Sequence, residues 1–118
     1  MQLKLLKSKL HRARVTDTKL HYAGSVAIDP DLTEAVGLVP YEAVTIADIT
    51  NGARLETYVV PAERGSRDVI IMGAAVKLID NGDTVIIFSF ANFTPEEVKD
   101  HKPQVVALDE NNNIVKRI

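Results

Sequence analysis

Apolar positions along this chain fall in short runs separated by turn residues, with little helical spacing. In segment 10–17 (LHRARVTD), Leu10, Arg12 and Arg14 alternate with His11, Ala13 and Val15, the period of two expected of a half-buried strand. Segment 43–49 (AVTIADI) leads into Asn51-Gly52 and is followed by 54–60 (RLETYVV). Asn-Gly favours positive φ at both central residues of a tight turn, so these two runs predict a hairpin. Segments 69–72 (VIIM) and 84–91 (TVIIFSFA) are apolar and rich in β-branched residues, as buried strands are. PQVVALD and the terminal IVKRI flank one more turn, DENNN.

Helices are short and are marked by their caps. Asp29-Pro30 predicts a helix start and Gly37 its end. Thr94-Pro95-Glu96-Glu97 has the form of a capping box with proline at the first helical position. A third short helix is expected through Ala74 to Leu78. Strands do not alternate with long helices, which argues against a parallel doubly wound sheet. The pattern predicts a small, mainly β barrel closed by short helices. AVTIADITNG and AVKLIDNG look alike and hint at an internal duplication.

A length of 118 residues favours one domain with little reserve of buried surface, which oligomerisation would supplement. A net charge of −2 without a basic run gives no footprint for nucleic acid or for an anionic membrane. With no cysteine there is no disulfide, thiol nucleophile or thiolate metal site, which fits a cytoplasmic location. The basic N-terminus lacks the apolar core of a signal peptide, and no apolar run is long enough to span a bilayer.

Familiar catalytic motifs are missing: no phosphate loop, no HExxH among His11, His21 and His101, and no GxSxG elbow. No metal site is expected. Four polar clusters interrupt the apolar runs instead. They are Lys9-Leu10-His11-Arg12, His21-Tyr22-Ala23-Gly24-Ser25, Asn51-Gly52 with Arg54, Thr57 and Tyr58, and Glu63-Arg64-Gly65-Ser66-Arg67 before Gly73-Ala74-Ala75. Singly, each has an ordinary structural reading. Lysine and arginine on a strand are usually solvated, Gly-Ser is usually a turn, and a tyrosine on an apolar strand is usually core or interface.

Together, KLHRARVT, LHYAGSVAID, NGARLETYV, AERGSR and GAA resemble the pyruvoyl-dependent aspartate α-decarboxylases, from about Leu6 to Lys116 and in family order. The resemblance implies a double-psi β-barrel, assembly as a homotetramer and active sites between neighbouring subunits. It implies decarboxylation of L-aspartate to β-alanine and carbon dioxide for pantothenate synthesis. It also implies self-cleavage into residues 1–24 and 25–118, with a covalent pyruvoyl group derived from Ser25 that forms a Schiff base with substrate. Some members of the family mature with help from an acetyltransferase-like partner. In the implied assignments Gly24, His11 and Thr57 serve processing, and Tyr58 donates a proton. Arg54, Thr57, Lys9, Gly73, Ala74 and Ala75 bind substrate, Lys9 reaching in from a neighbouring subunit.

These residue types suit that chemistry. The Ser25 hydroxyl can attack the Gly24 carbonyl, giving an ester that elimination and hydrolysis convert to a ketone. Glycine at position 24 admits backbone angles closed to other residues and leaves its carbonyl open. An oxyanion at that carbonyl needs a donor, the role of Thr57. The planar fork of Arg54 matches a carboxylate. Because the departing carboxylate loses its charge, the strong clamp is expected on the side-chain carboxylate that remains. Met72 stands where the family usually carries asparagine. A thioether is a flexible apolar filler and a weak acceptor, so the chemistry is expected to be slowed modestly and not abolished. Two other readings remain open on the sequence: a non-catalytic barrel used for binding, and a pyruvoyl decarboxylase for another acidic amino acid such as glutamate.

Overall fold

In the computed structural model, which describes residues 1–118, the chain is mostly β. It runs β1 (Leu3–Arg14), β2 (Asp17–Lys19), β3 (Ser25–Ile28), α1 (Pro30–Ala35), β4 (Ala43–Asp48), β5 (Arg54–Pro61) and β6 (Val69–Met72). A 3-10 turn (Gly73–Lys77), β7 (Thr84–Phe93), α2 (Pro95–Val98), β8 (Gln104–Leu108) and β9 (Ile114–Arg117) complete it.

Neighbouring strands follow the order β2-β6-β3-β5-β4-β7-β1-β8-β9. The sheet closes because β1 and β2 behave as one strand that changes neighbours. Val15 exchanges backbone hydrogen bonds with the 82–83 turn that leads into β7, and Thr16 N–H then donates to Val69 O at the start of β6. Counted as one, β1–β2 completes a ring with β6, β3, β5, β4 and β7. The pairs β2·β6 and β3·β5 are parallel, whereas β3·β6, β4·β5, β4·β7 and β1·β7 are antiparallel. This is the expected double-psi β-barrel, with α1 and α2 as short caps and β8–β9 extending from β1. Leu10, Ile28, Ile46, Ile71, Ile79 and Ile87 are fully buried inside it. No helix is long and apolar enough to cross a membrane.

The caps are as predicted. Asp29 accepts from the Asp31 backbone N–H at the start of α1, and Thr94 and Glu97 form a reciprocal capping box. Three expectations need correction. The alternation in β1 does not run through: Leu10 pairs with Ile87 and Ala13 with Val85, so His11 and Arg12 together oppose one residue of β7. That bulge lets Leu10, Ala13 and Val15 all point into the core, and it holds Arg12 at φ 66. The Asn51-Gly52 connection is also wider than a two-residue turn. Gly52 alone is at positive φ (77°), and Asp48 N–H donates to Ala53 O. Finally, the resemblance of AVTIADITNG to AVKLIDNG is not structural, because the first begins as β4 and the second as the 3-10 turn.

Candidate functional site

The Gly24–Ser25 junction lies at the rim of a cleft of about 430 Å³ whose walls include Thr57, Tyr58, Met72, Ala74 and Ala75. Strand pairing sets this arrangement. Ser25 begins β3, pairs with Met72 across the antiparallel β3·β6 ladder, and lies one position before the Val26–Val59 pair of the parallel β3·β5 ladder. Ser25 therefore sits between Met72 and Tyr58. Its side chain is buried, with 4 % exposure, while Gly24 is exposed. The Ser25 hydroxyl makes one long contact, 3.5 Å to Ala23 O, so little competes for its lone pairs.

Gly24 differs from expectation. It is not among the glycines at positive φ, and a Cβ built on it would meet nothing within 4 Å. The backbone freedom of glycine is required instead at Gly73, at φ +80.

Lys9, His11 and Arg54 do not line the cleft. Lys9 pairs with Phe88, Phe88 with Thr45, and Thr45 with Glu56, forming one row across four strands on the outer face of the sheet. The Arg54 guanidinium carbon lies 5.2 Å from the centroid of the same Phe88 ring, a cation–π distance. Lys9, as the cross-strand partner of Phe88, and Arg54, over its ring, therefore both neighbour this residue. His11 rides on the β1 bulge, with Nδ1 buried and without a hydrogen-bond partner. Its pKa is held below the ordinary 6.5 by burial first, and then by the charges of Lys9 and Arg12, which favours a neutral imidazole.

The cleft has walls dominated by apolar side chains, and its only charged lining residue is Glu56. Glu56 and Leu78 do not stand out in the sequence, although the strand period of β5 places Glu56 on one face with Arg54 and Tyr58. The 3-10 turn is tied to the neighbouring hairpin by Asn51, whose Nδ2 donates to Leu78 O at 2.7 Å. Tyr58 remains partly exposed, with its ring centroid 6.3 Å from that of Tyr41.

Segment 63–67 is structural in this chain. The buried Asp29 carboxylate accepts from the backbone N–H groups of Gly65 at 3.0 Å and Arg67 at 2.8 Å. Arg64 pairs with Asp31 and Glu34 on the surface. The remaining histidines also lie apart from the cleft. His21 is exposed, and His101 Nε2 is 2.6 Å from Leu6 O.

Among known proteins, the sequence model described as aspartate decarboxylase matches residues 1–115. The chain is 54% identical over 110 residues to the aspartate 1-decarboxylase of Bacillus licheniformis, covering 93% of this chain and 87% of that one. It is 48% identical over 116 residues to the aspartate 1-decarboxylase of Salinibacter ruber, covering 98% of this chain and 80% of the relative. Identity to the enzyme of the same name from Clostridium kluyveri is 48% over 114 residues, covering 97% and 90% of the two chains.

Proposed function

This chain belongs to the aspartate decarboxylase family, and from that premise we propose that its catalytic carbonyl is made from Ser25 when the chain divides after Gly24. Its reaction is decarboxylation of L-aspartate to β-alanine and carbon dioxide, the supply of β-alanine for pantothenate synthesis. The observation that carries the proposal is the junction itself. A buried, nearly unengaged serine hydroxyl follows directly on an exposed glycine at the rim of a cleft that holds Thr57 and Tyr58.

In the proposed processing, Ser25 Oγ bonds to the Gly24 carbonyl carbon, the peptide C–N bond breaks, and the hydroxyl proton ends on the freed amine. Loss of the residue-25 α-proton then expels the Gly24 carboxylate. Water replaces the nitrogen of the resulting enamine, releasing ammonia and leaving a ketone at position 25. Thr57, on the cleft wall with Gly24, supplies the hydrogen bond to the oxyanion of the first step. His11, held neutral, is suited to accept a proton.

The terminal pyruvoyl group supplies a ketone conjugated to an amide carbonyl, which takes up the electron pair left at Cα as carbon dioxide departs. The chain's own residues do the rest. Tyr58 delivers the proton to Cα. The 73–75 backbone contacts the substrate. Lys9 and Arg54 hold the carboxylate that is not lost, because a tight grip on the departing one would resist its loss of charge.

Two carboxylates cannot be held by a cleft whose only charged lining residue is Glu56. The cations come from a neighbouring copy, and because Lys9 pairs across strands with Phe88 while Arg54 lies over its ring, one subunit lends both. The assembly is a homotetramer with shared sites.

Purified, incubated protein is expected to convert L-aspartate to equal amounts of β-alanine and carbon dioxide without pyridoxal phosphate. Arg54→Ala is expected to lose about 2–5 kcal/mol of transition-state stabilisation, or roughly thirtyfold and more in kcat/KM. Equal turnover of alanine and aspartate, or near-normal turnover by Arg54→Ala, contradicts the reading.

A further inference from the structure

We propose that Gly73 is a positioning residue for self-cleavage: its bare backbone is the surface against which the segment 22–24 is set, so that the Gly24 carbonyl meets Ser25 Oγ. This deepens the self-cleavage reading and rests on it. The register leads to the same place. Ser25 pairs with Met72, so the next residues outward on the two strands are Gly24 and Gly73.

Gly73 is buried and has φ +80. A Cβ built on it would lie 2.7 Å from Gly24 Cα, 3.0 Å from Gly24 N and 3.1 Å from Tyr22 O. All three are backbone atoms of the segment that must be held for attack, so no side chain can swing aside to make room. The crowding is one-sided, because a Cβ on Gly24 meets nothing within 4 Å. Any residue at 73 other than glycine must therefore displace the scissile segment itself. Displacement near 1 Å at a reacting centre costs on the order of a hundredfold in rate.

Positive φ alone could make Gly73 intolerant of substitution, and a control separates the two causes. Gly82 has φ +90 with nothing within 4 Å of its Cβ position, and Gly65 has φ +86 with the same free space. Alanine at either site meets the left-handed strain without touching segment 22–24.

The test compares the rate of chain division in wild type, Gly73→Ala, Gly82→Ala and Gly65→Ala by denaturing mass spectrometry. Folding is read from melting curves of the same variants in a Ser25→Ala background. Gly73→Ala is expected to divide at least about tenfold more slowly than Gly82→Ala and Gly65→Ala, while melting comparably to them. Hydroxylamine, which cleaves an ester at Gly24 but not an amide, should accelerate division of wild type and leave Gly73→Ala unaffected, placing the defect at the acyl shift. If Gly73→Ala does not fold, Gly73→Asn, which tolerates the left-handed region but still carries a Cβ, is expected to show the same slow division. Division of the folded Gly73 variant at the rate of the two controls overturns the assignment and leaves self-cleavage standing. A wild type that never divides overturns self-cleavage, and the assignment with it.

Discussion

At the scale of single residues, the barrel carries one polar feature that its function does not use. Asp48 closes β4 with 2 % exposure; one oxygen accepts from Thr50 N–H at 2.8 Å and the other has no partner that donates to it. It faces the Asp83 carboxyl, and its pKa is raised by burial first and by that neighbour next. The folded state thus holds a proton that the unfolded chain gives up more readily. Asp48 contributes stability that is full at acid pH and is lost as pH rises through its raised value. Asp48→Asn keeps the acceptor for Thr50 and gives Asp83 a donor. Its melting temperature is expected to exceed that of wild type by a margin that grows from pH 4 toward neutrality. A variant less stable than wild type across the range contradicts this. Nothing in the sequence marks this pair, because the residues are far apart in the chain and meet only through the β4·β7 ladder. Ser25, Thr57 and Tyr58 were legible for the opposite reason: each stands inside a short motif, and strand pairing brings those motifs to one cleft.

At the scale of elements, caps and β-branched runs located most strands and both helices, since these signals are local. The β1 bulge is missed by a regular period-two reading of the strand, although the change of apolar phase between Leu10 and Ala13 marks it. Leu10 stands in the phase of Arg12 and Arg14, and His11 in that of Ala13 and Val15, so a strict period of two cannot bury both Leu10 and Ala13; pairing with β7 takes up the break in the bulge and buries both. The three-residue β2 was also missed; its pairing with β6 is decided by where β1 changes neighbours. The AERGSR motif acquires a structural role at this scale. Asp29 ties the start of α1 to the 63–67 loop through the N–H groups of Asp31, Gly65 and Arg67. Burial raises its pKa, but these donors, helped by Arg64, outweigh burial and hold it below the ordinary carboxylate value. This stability is present above the unfolded pKa and is lost as pH falls through the lower folded one. Asp29→Asn is expected to cost about 1.5–3 kcal/mol in denaturant unfolding at pH 7, with the deficit narrowing at low pH. A loss that does not change with pH counts against an ionised Asp29 as the clamp.

At the scale of the whole molecule, the cations adjoin the cleft without lining it. The cleft holds Gly24, Thr57 and Tyr58, whereas Lys9 and Arg54 neighbour Phe88 on the outer sheet face, and Glu56 borders both. Local sequence does not show that arrangement, because it follows from the pairing of β1, β7, β4 and β5. Reassembling inactive Lys9→Ala subunits with inactive Tyr58→Phe subunits is expected to restore activity at sites drawing one residue from each. Arg54→Ala should complement Tyr58→Phe in the same way, while Lys9→Ala and Arg54→Ala should not complement each other. A fully active monomer by light scattering contradicts shared sites.

Everything proposed for catalysis depends on the bond between Gly24 and Ser25. The most direct measurement is the intact mass, under denaturing conditions, of the purified and incubated protein, beside its Ser25→Ala variant. Wild type is predicted to separate into residues 1–24 ending in a free carboxylate and residues 25–118 beginning with a pyruvoyl group, while Ser25→Ala stays whole and inactive. A wild type that decarboxylates aspartate as a single undivided chain contradicts the account.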